Sequence, residues 1–433
     1  MRNTLSRVLL LVSLMAVYLP STLQAKVART GNVAPQTAKS PGATAKPLKV
    51  FILAGQSNMQ GHASVTTFDS MAGDPKTALL LKEMRTPDGK PKVSEKVWIS
   101  SIGCLGDAYS DLTEAKGKLT AGFGAPENKI GPEFTFGLTM EKHLNEPVLI
   151  IKTSWGGRSL HTDFRPPSAG PYVLAKETQE LWDQHPQGAH GIPKTEDRPK
   201  YFSEKAAATG VYYREMIAHV RKVLKDIKRV VPDYQTKQGY ELAGFVWFQG
   251  FNDFVDSGVY PRQNQPGGYD PYANLLGHFI RDVRKDLSAP KMPFVVGVMG
   301  IDGMRGNTNA PMMHFRKAQR KVATLNEFEG NVAAVETALF WDDDLEKLHE
   351  RMNASWPKVD AKVEEAKKQN KPNADSWENK MKLMAENFTP EEWKRLQQGV
   401  SNGGYHYLGA AKIIAPIGQA FAEVLIKLRA RRK

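Results

Sequence analysis

Four short segments of this 433-residue chain carry groups that could act together on a carbonyl. Ser57 follows the apolar run Val50-Phe51-Ile52-Leu53-Ala54 across Gly55 and Gln56. Gly156 and Gly157 follow a second run, Ile151-Lys152-Thr153-Ser154-Trp155. Gln249, Gly250, Phe251, Asn252 and Asp253 follow a third, Phe245-Val246-Trp247-Phe248. His406 stands late, in Asn402-Gly403-Gly404-Tyr405-His406. A serine hydroxyl is a nucleophile once a base takes its proton, and an imidazole suits that task near neutral pH. Paired glycines let backbone N–H groups approach a ligand, and the Asn252 carboxamide donates without carrying charge. A developing oxyanion needs both. Asp253 could orient a neighbour or cap a turn. Each segment taken singly also has a plainer account as a strand-ending turn or a helix-entrance histidine. The first is not a G-x-S-x-G elbow, because Met59 rather than glycine lies two residues after Ser57.

For these segments to meet, the apolar runs must be neighbouring parallel strands ending on one rim. Five runs read as buried strands: 48–54, 147–153, 243–248, 293–299 and 331–337. Helical patterns fall between them at 134–144, 211–226, 272–287 and 311–325, and 409–428 reads as a final helix. The alternation predicts an α/β chain: a three-layer α/β/α sandwich with a five-stranded parallel, flavodoxin-like sheet. Residues 62–129 and 160–204 are rich in glycine, proline and charge, and read as long excursions above the sheet. Residues 342–398 read as a Lys/Glu-rich helical insertion before the C-terminal helix. Residues 48–428 read as one elaborated domain, followed by a basic tail at 429–433.

The order of the segments makes the joint pattern informative. Gln56-Ser57-Asn58-Met59, Trp155-Gly156-Gly157, Gln249-Gly250-Phe251-Asn252-Asp253 and His406 resemble the SGNH/GDSL hydrolases. Within them the chain is similar to the sialate O-acetylesterase and acetyl xylan esterase-like carbohydrate esterases. Gly131-Pro132-Glu133-Phe134 also resembles that branch. The resemblance implies the SGNH fold, Ser57 as nucleophile and His406 as base. It implies an oxyanion hole from the Ser57 N–H, Gly157 and the Asn252 amide, with Gln56, Gly156, Gln249 and Asp253 in support. It further implies an acetylated carbohydrate as substrate and no cofactor. Trp155, Arg158, His161, Trp247, Phe248 and Phe251 offer faces and donors suited to sugar rings, although Trp247 and Phe248 read rather as strand residues in the core.

Two positions depart from the family pattern. Phe251 stands where a glutamate is common, and Gly403 occupies the place of the acid three residues before the histidine. Asp342, Asp343, Asp344, Glu336 or a backbone carbonyl could orient His406 instead. The missing acid also admits a carbohydrate-binding relative without turnover. A lipid or thioester hydrolase of the wider group would need an apolar acyl channel, which the polar excursions do not favour.

The remaining composition bounds partners and address. Residues 1–25 read as a cleaved signal peptide, with Arg2 and Arg7 before a short apolar stretch, and 26–47 as a tether. A secreted or periplasmic location follows as an expectation, with no transmembrane segment in the mature chain. The net charge is +13; residues 1–47 hold six cations and 427–433 hold five with no acid, leaving +2 for the body. That distribution argues against a nucleic-acid partner. Cys104 is the only cysteine, so no intrachain disulfide forms, and no Cys/His pattern points to a metal.

Overall fold

The computed structural model describes residues 46–104, 112–125, 128–189 and 191–431. The signal peptide expected over 1–25 and nearly all of the tether lie outside the described residues. The main sheet has seven strands: β1 Leu48–Gly55, β2 Val97–Ile102, β3 Ala115–Lys118, β4 Val148–Ser154, β5 Tyr240–Phe248, β6 Phe294–Val298 and β7 Val332–Glu336. Their spatial order is β3-β2-β4-β1-β5-β6-β7, all parallel except β3, which runs antiparallel to β2.

The principal helices are α1 Glu133–Leu144, α2 Val211–Lys225, α3 Asp270–Asp286, α4 Ala310–Lys321, α5 Asp343–Lys368, α6 Trp377–Ala385, α7 Pro390–Gly399 and α8 Ala411–Ala430. Side-chain alternation along β5 sorts them into two layers. Phe245 and Trp247 meet Phe279 of α3, which also contacts Tyr213 of α2. Phe248, on the opposite face, meets Phe421 of α8. On that same side Thr135 of α1 donates to the Ala415 carbonyl of α8 at 2.6 Å. Phe51, Ile52, Leu53, Val246 and Trp247 are completely buried in the middle layer. Full burial of one such side chain contributes roughly 1.5–3 kcal/mol, so the layers are held by apolar area.

The α/β/α sandwich and its parallel sheet match expectation, and β4-β1-β5-β6-β7 has the flavodoxin-like order. The count of five strands is corrected to seven. Two of them lie inside 62–129, which is therefore not wholly an excursion. The apolar run of β2 is broken by Ser100 and Ser101, yet every residue of the strand is buried. Ser100 is accommodated there by donating to Glu114 at 2.6 Å beside His219 Nε2 at 3.0 Å. In 160–204, two helices, Lys176–Asp183 and Arg198–Ala208, interrupt the loop. Helices α5 to α7 share a small cluster of their own around Val359, Val363 and Met384.

Candidate active site

The site is set by strand register. Gly55, the last residue of β1, is level with Ser154 of β4 on one side and Phe248 of β5 on the other. The loops carrying Ser57, Gly156-Gly157 and Asn252 therefore leave the sheet at one height, on both flanks of the strand where the chain order reverses. That crevice is where open α/β sheets bind ligands. Gly55 is required by close approach, since a Cβ there would lie 2.1 Å from the Phe248 carbonyl oxygen.

Ser57 opens a single helical turn, Ser57–Gln60, and is 8% exposed. Its N–H and hydroxyl take no protein hydrogen-bond partner among the described residues. Gly157 sits at φ +71°, which favours glycine, and its N–H is likewise unused by the protein. Gly156 beside it is buried. The Asn252 side-chain amide is half-buried and makes no hydrogen bond among the described residues, although its backbone N–H reaches Gln56 Oε1 at 3.5 Å. Among the described residues these three donors thus remain unused by the protein, on loops that leave the sheet at one height.

The supporting residues form a buried network. Gln56 Oε1 accepts from Gln249 Nε2 at 3.2 Å and from the Gly250 N–H at 3.4 Å, tying the Ser57 loop to the β5 loop. Gln249 Nε2 also reaches the Arg158 carbonyl at 3.1 Å and Asp253 Oδ2 at 2.6 Å. Asp253, fully buried, accepts from the N–H groups of Leu160 and His161 at 2.7 and 2.9 Å and from the Tyr260 hydroxyl at 3.0 Å. Burial pushes its carboxyl up to about 6 while these donors pull it down. Asp253 therefore clamps the glycine loop onto the asparagine loop. Tyr272 and Gln319 bind the Gln249 carbonyl at 3.2 and 3.0 Å. Tyr260, Tyr272 and Gln319 carry no motif of their own, and only contact reveals them.

A second support lies behind the Ser57 turn. Lys152 of β4 and Glu133 of α1 form a completely buried ion pair at 2.8 Å. Lys152 Nζ also donates to the carbonyls of Gln60 and Phe123, each at 2.7 Å, and Glu133 accepts from the Gly131 N–H at 2.8 Å. The Gly-Pro-Glu segment thereby anchors the end of the turn that begins at Ser57.

His406 arrives on the Gly404–Gly409 turn, which packs against the Ser57–Gln60 turn. The backbone is forced into the left-handed region at Tyr407 (φ 55°) and Leu408 (φ 60°). The completely buried Tyr407 offsets that strain. Its hydroxyl meets Thr337 Oγ1 at 2.7 Å and accepts from the Gly300 N–H at 2.8 Å. No hydrogen bond joins Ser57 Oγ to the His406 ring among the described residues; such contacts are often loose before substrate binds.

The partner of His406 is a residue absent from the sequence expectation. His406 Nδ1 lies 2.9 Å from Asn402 Oδ1. The same oxygen accepts from the Gly403 N–H at 2.8 Å, which identifies it as oxygen rather than nitrogen. His406 Nδ1 is therefore the donor, and Nε2 is left with its lone pair free. None of the proposed carboxylates serves: Asp342 caps α5 and pairs with Lys412 and Arg395, and Glu336 is paired with Arg320. Burial, with Lys129 adding repulsion, lowers the His406 pKa to about 4. His62 stacks flat on His406 with ring centroids 3.8 Å apart.

Most of the aromatic faces expected at the rim are turned inward. Trp155, Trp247 and Phe248 belong to the core and His161 is 6% exposed. Arg158 lies over the Tyr212 ring at 4.3 Å and faces Asp163 at 3.4 Å. Phe251 remains half-buried, with its ring centroid 6.1 Å from that of Tyr405, which is 49% exposed. Among the described residues no cluster of three or more His, Cys, Asp or Glu could hold a metal ion, and no helix is long and apolar enough to cross a membrane.

Fold and site together define an α/β/α hydrolase with a serine at the topological switch point. The profile of the family described as "Carbohydrate esterase, sialic acid-specific acetylesterase" matches residues 47–188 and 194–355. The chain belongs to that family and is a carboxylic ester hydrolase of the sialate O-acetylesterase-like kind. Among solved structures it is similar to an Arabidopsis thaliana protein (17% identity, TM-score 0.35, covering 67% of this chain and 86% of that one). It is also similar to a carbohydrate acetylesterase from Xanthomonas citri (13%, 0.35, 68% and 51%) and to NanS (11%, 0.36, 68% and 79%). No curated protein sequence matches.

Proposed function

We propose that this carbohydrate esterase removes O-acetyl groups from a glycan through Ser57 and His406. His406 Nε2 takes the Ser57 proton as Oγ attacks the acetyl carbonyl. The oxyanion accepts from the N–H groups of Ser57 and Gly157 and from Asn252 Nδ2. The imidazolium then protonates the departing sugar oxygen as its bond to the acetyl carbon breaks, leaving acetyl-Ser57 and a free sugar hydroxyl. Water, deprotonated by His406, attacks that ester, and acetate leaves as Ser57 regains its proton.

The observation that supports this reading is the register of Gly55 with Ser154 and Phe248, from which the loops of Ser57, Gly157 and Asn252 leave the sheet at one height. The free Nε2 of a histidine held by Asn402 supplies the base. Phe251 and Tyr405 flank Asn252 and His406 in the chain and form a half-exposed aromatic rim, which favours a ring-shaped leaving group over an acyl chain. A secreted or periplasmic address is proposed from residues 1–25 alone.

Acetate release from a panel of O-acetylated glycans, with Ser57→Ala as control, tests the assignment. Release that survives Ser57→Ala sinks it. A fluorophosphonate probe separates enzyme from binding module: labelling at Ser57 supports turnover, and an inert serine with measurable glycan affinity opposes it.

A further inference from the structure

His62 takes no part in the steps above, yet its ring lies parallel to that of His406, with centroids 3.8 Å apart. The two histidines share a third residue. Asn402 offers Oδ1 to His406 Nδ1 at 2.9 Å and turns Nδ2 toward His62 Nδ1 at 3.5 Å. With Oδ1 identified by the Gly403 N–H, Nδ2 is a donor, so His62 Nδ1 must present a lone pair. His62 is then the Nε2–H tautomer, and it is neutral.

The backbone enforces this arrangement. Ser401 Oγ donates to the His62 or Gly409 carbonyl, at 3.2 and 2.7 Å, and accepts from the Ser64 N–H at 3.2 Å. The 62–64 segment and the 401–402 turn are thus laced together beneath the three side chains. Among the described residues His62 Nε2 is buried without a partner, so none of them pulls the ring away from the stack. Burial first, then the nearby His406, Lys129 and Lys152, hold the His62 pKa down at about 2.

We propose that His62 is a positioning residue for the general base: its Nδ1 holds the far end of the Asn402 carboxamide, and its ring sets the plane of the His406 imidazole. A carboxylate orients a histidine through charge. A carboxamide must be held at both ends, because rotating it offers an N–H to a histidine that has to donate. Gly403 marks the oxygen end, and His62 accepts from the nitrogen end. This inference rests on the Ser57–His406 reading of the site.

The test is a pair of substitutions made in two backgrounds, read as steady-state hydrolysis of p-nitrophenyl acetate. His62→Phe keeps a stacked ring but removes the acceptor. Its kcat should fall about 30-fold with KM nearly unchanged, well short of the ~10⁴-fold loss of a wrong tautomer. In an Asn402→Asp background the orienting group has no N–H to satisfy, so the same change should cost less than about threefold. Equal losses in both backgrounds would mean that His62 only packs, and an unchanged kcat for His62→Phe would likewise overturn the proposal. His62→Gln, which restores an acceptor without the ring, should recover part of the rate. If His62→Phe fails to fold, His62→Gln carries the same comparison: it should be less impaired than His62→Ala, and equal impairment overturns the proposal. Hydrolysis that persists in Ser57→Ala would instead remove the Ser57–His406 reading itself.

Discussion

Asn402 Oδ1 accepts the Nδ1–H of His406 at 2.9 Å, one residue earlier in the chain than the position expected to hold an acid. A neutral acceptor there still selects the tautomer with Nε2 free, but it stabilises an imidazolium less than a carboxylate does. Asn402→Leu should lower kcat by about 10²–10⁴-fold. Asn402→Asp should retain turnover and move the acid limb of kcat/KM to higher pH, since a carboxylate favours the protonated ring. An Asn402→Leu enzyme as fast as wild type would remove this residue from the catalytic set.

The pH dependence follows from the low His406 pKa. The base is neutral above about 4, so kcat/KM should hold steady through mildly acidic pH and fall only as pH approaches about 4. Lys129→Gln removes one of the two causes, and the limb should shift upward without reaching 6.5, because burial is the larger cause. Stability has a definite sign here. His406 and His62 bind protons more readily unfolded, so their contribution is complete above 6.5 and is lost as pH falls, toward about 4 for His406 and about 2 for His62. Denaturant titrations between these limits, compared with a His62→Phe variant, measure it.

Asn252→Ala should slow kcat by about 10²–10³-fold, the usual cost of one oxyanion donor. Its side chain makes no hydrogen bond among the described residues, so the melting temperature should stay put. Gly157→Ala should act differently, costing about 1 kcal/mol of stability because φ is +71° and displacing the N–H as well. Both are checked by single-turnover kinetics alongside calorimetry.

The Lys152–Glu133 pair offers a separate stability test. Glu133→Gln strands a buried ammonium and should cost about 3–5 kcal/mol in urea unfolding. Lys152→Met with Glu133→Gln should cost less than the sum of the single changes, because no unpaired charge is left. Additive losses would show that the two charges do not act as a pair.

Tyr405→Ala addresses substrate class. Loss of one aromatic face should raise KM for an acetylated glycan by about fivefold while leaving ethyl acetate hydrolysis unchanged. An equal effect on both esters would place Tyr405 in support of His406, whose ring lies 4.5 Å away, rather than against the sugar.

Ser57, the glycine pair, Asn252 and His406 were legible as candidates because each follows a recognisable strand or precedes a helix. Strand β2 was not, because Ser100 and Ser101 interrupt its apolar run and Ser100 is accommodated by Glu114 and His219 arriving from elsewhere; strand β3, Ala-Lys-Gly-Lys, has no apolar run to read. Asn402 was passed over because it sits outside the expected spacing and reads as turn chemistry before two glycines. His62 was invisible for a stronger reason. It lies 344 positions from the ring it stacks on, and no local pattern encodes that contact.

The order of apolar runs and polar turns along the chain determined the sandwich, the parallel sheet and the residues presented at its rim, since strand and helix periods are local properties. Tertiary structure alone decided which neutral side chain orients His406, that Asp253 clamps two loops, and which aromatic rings face inward. Those outcomes depend on how separate segments are brought together by strand register and by left-handed backbone at Tyr407 and Leu408.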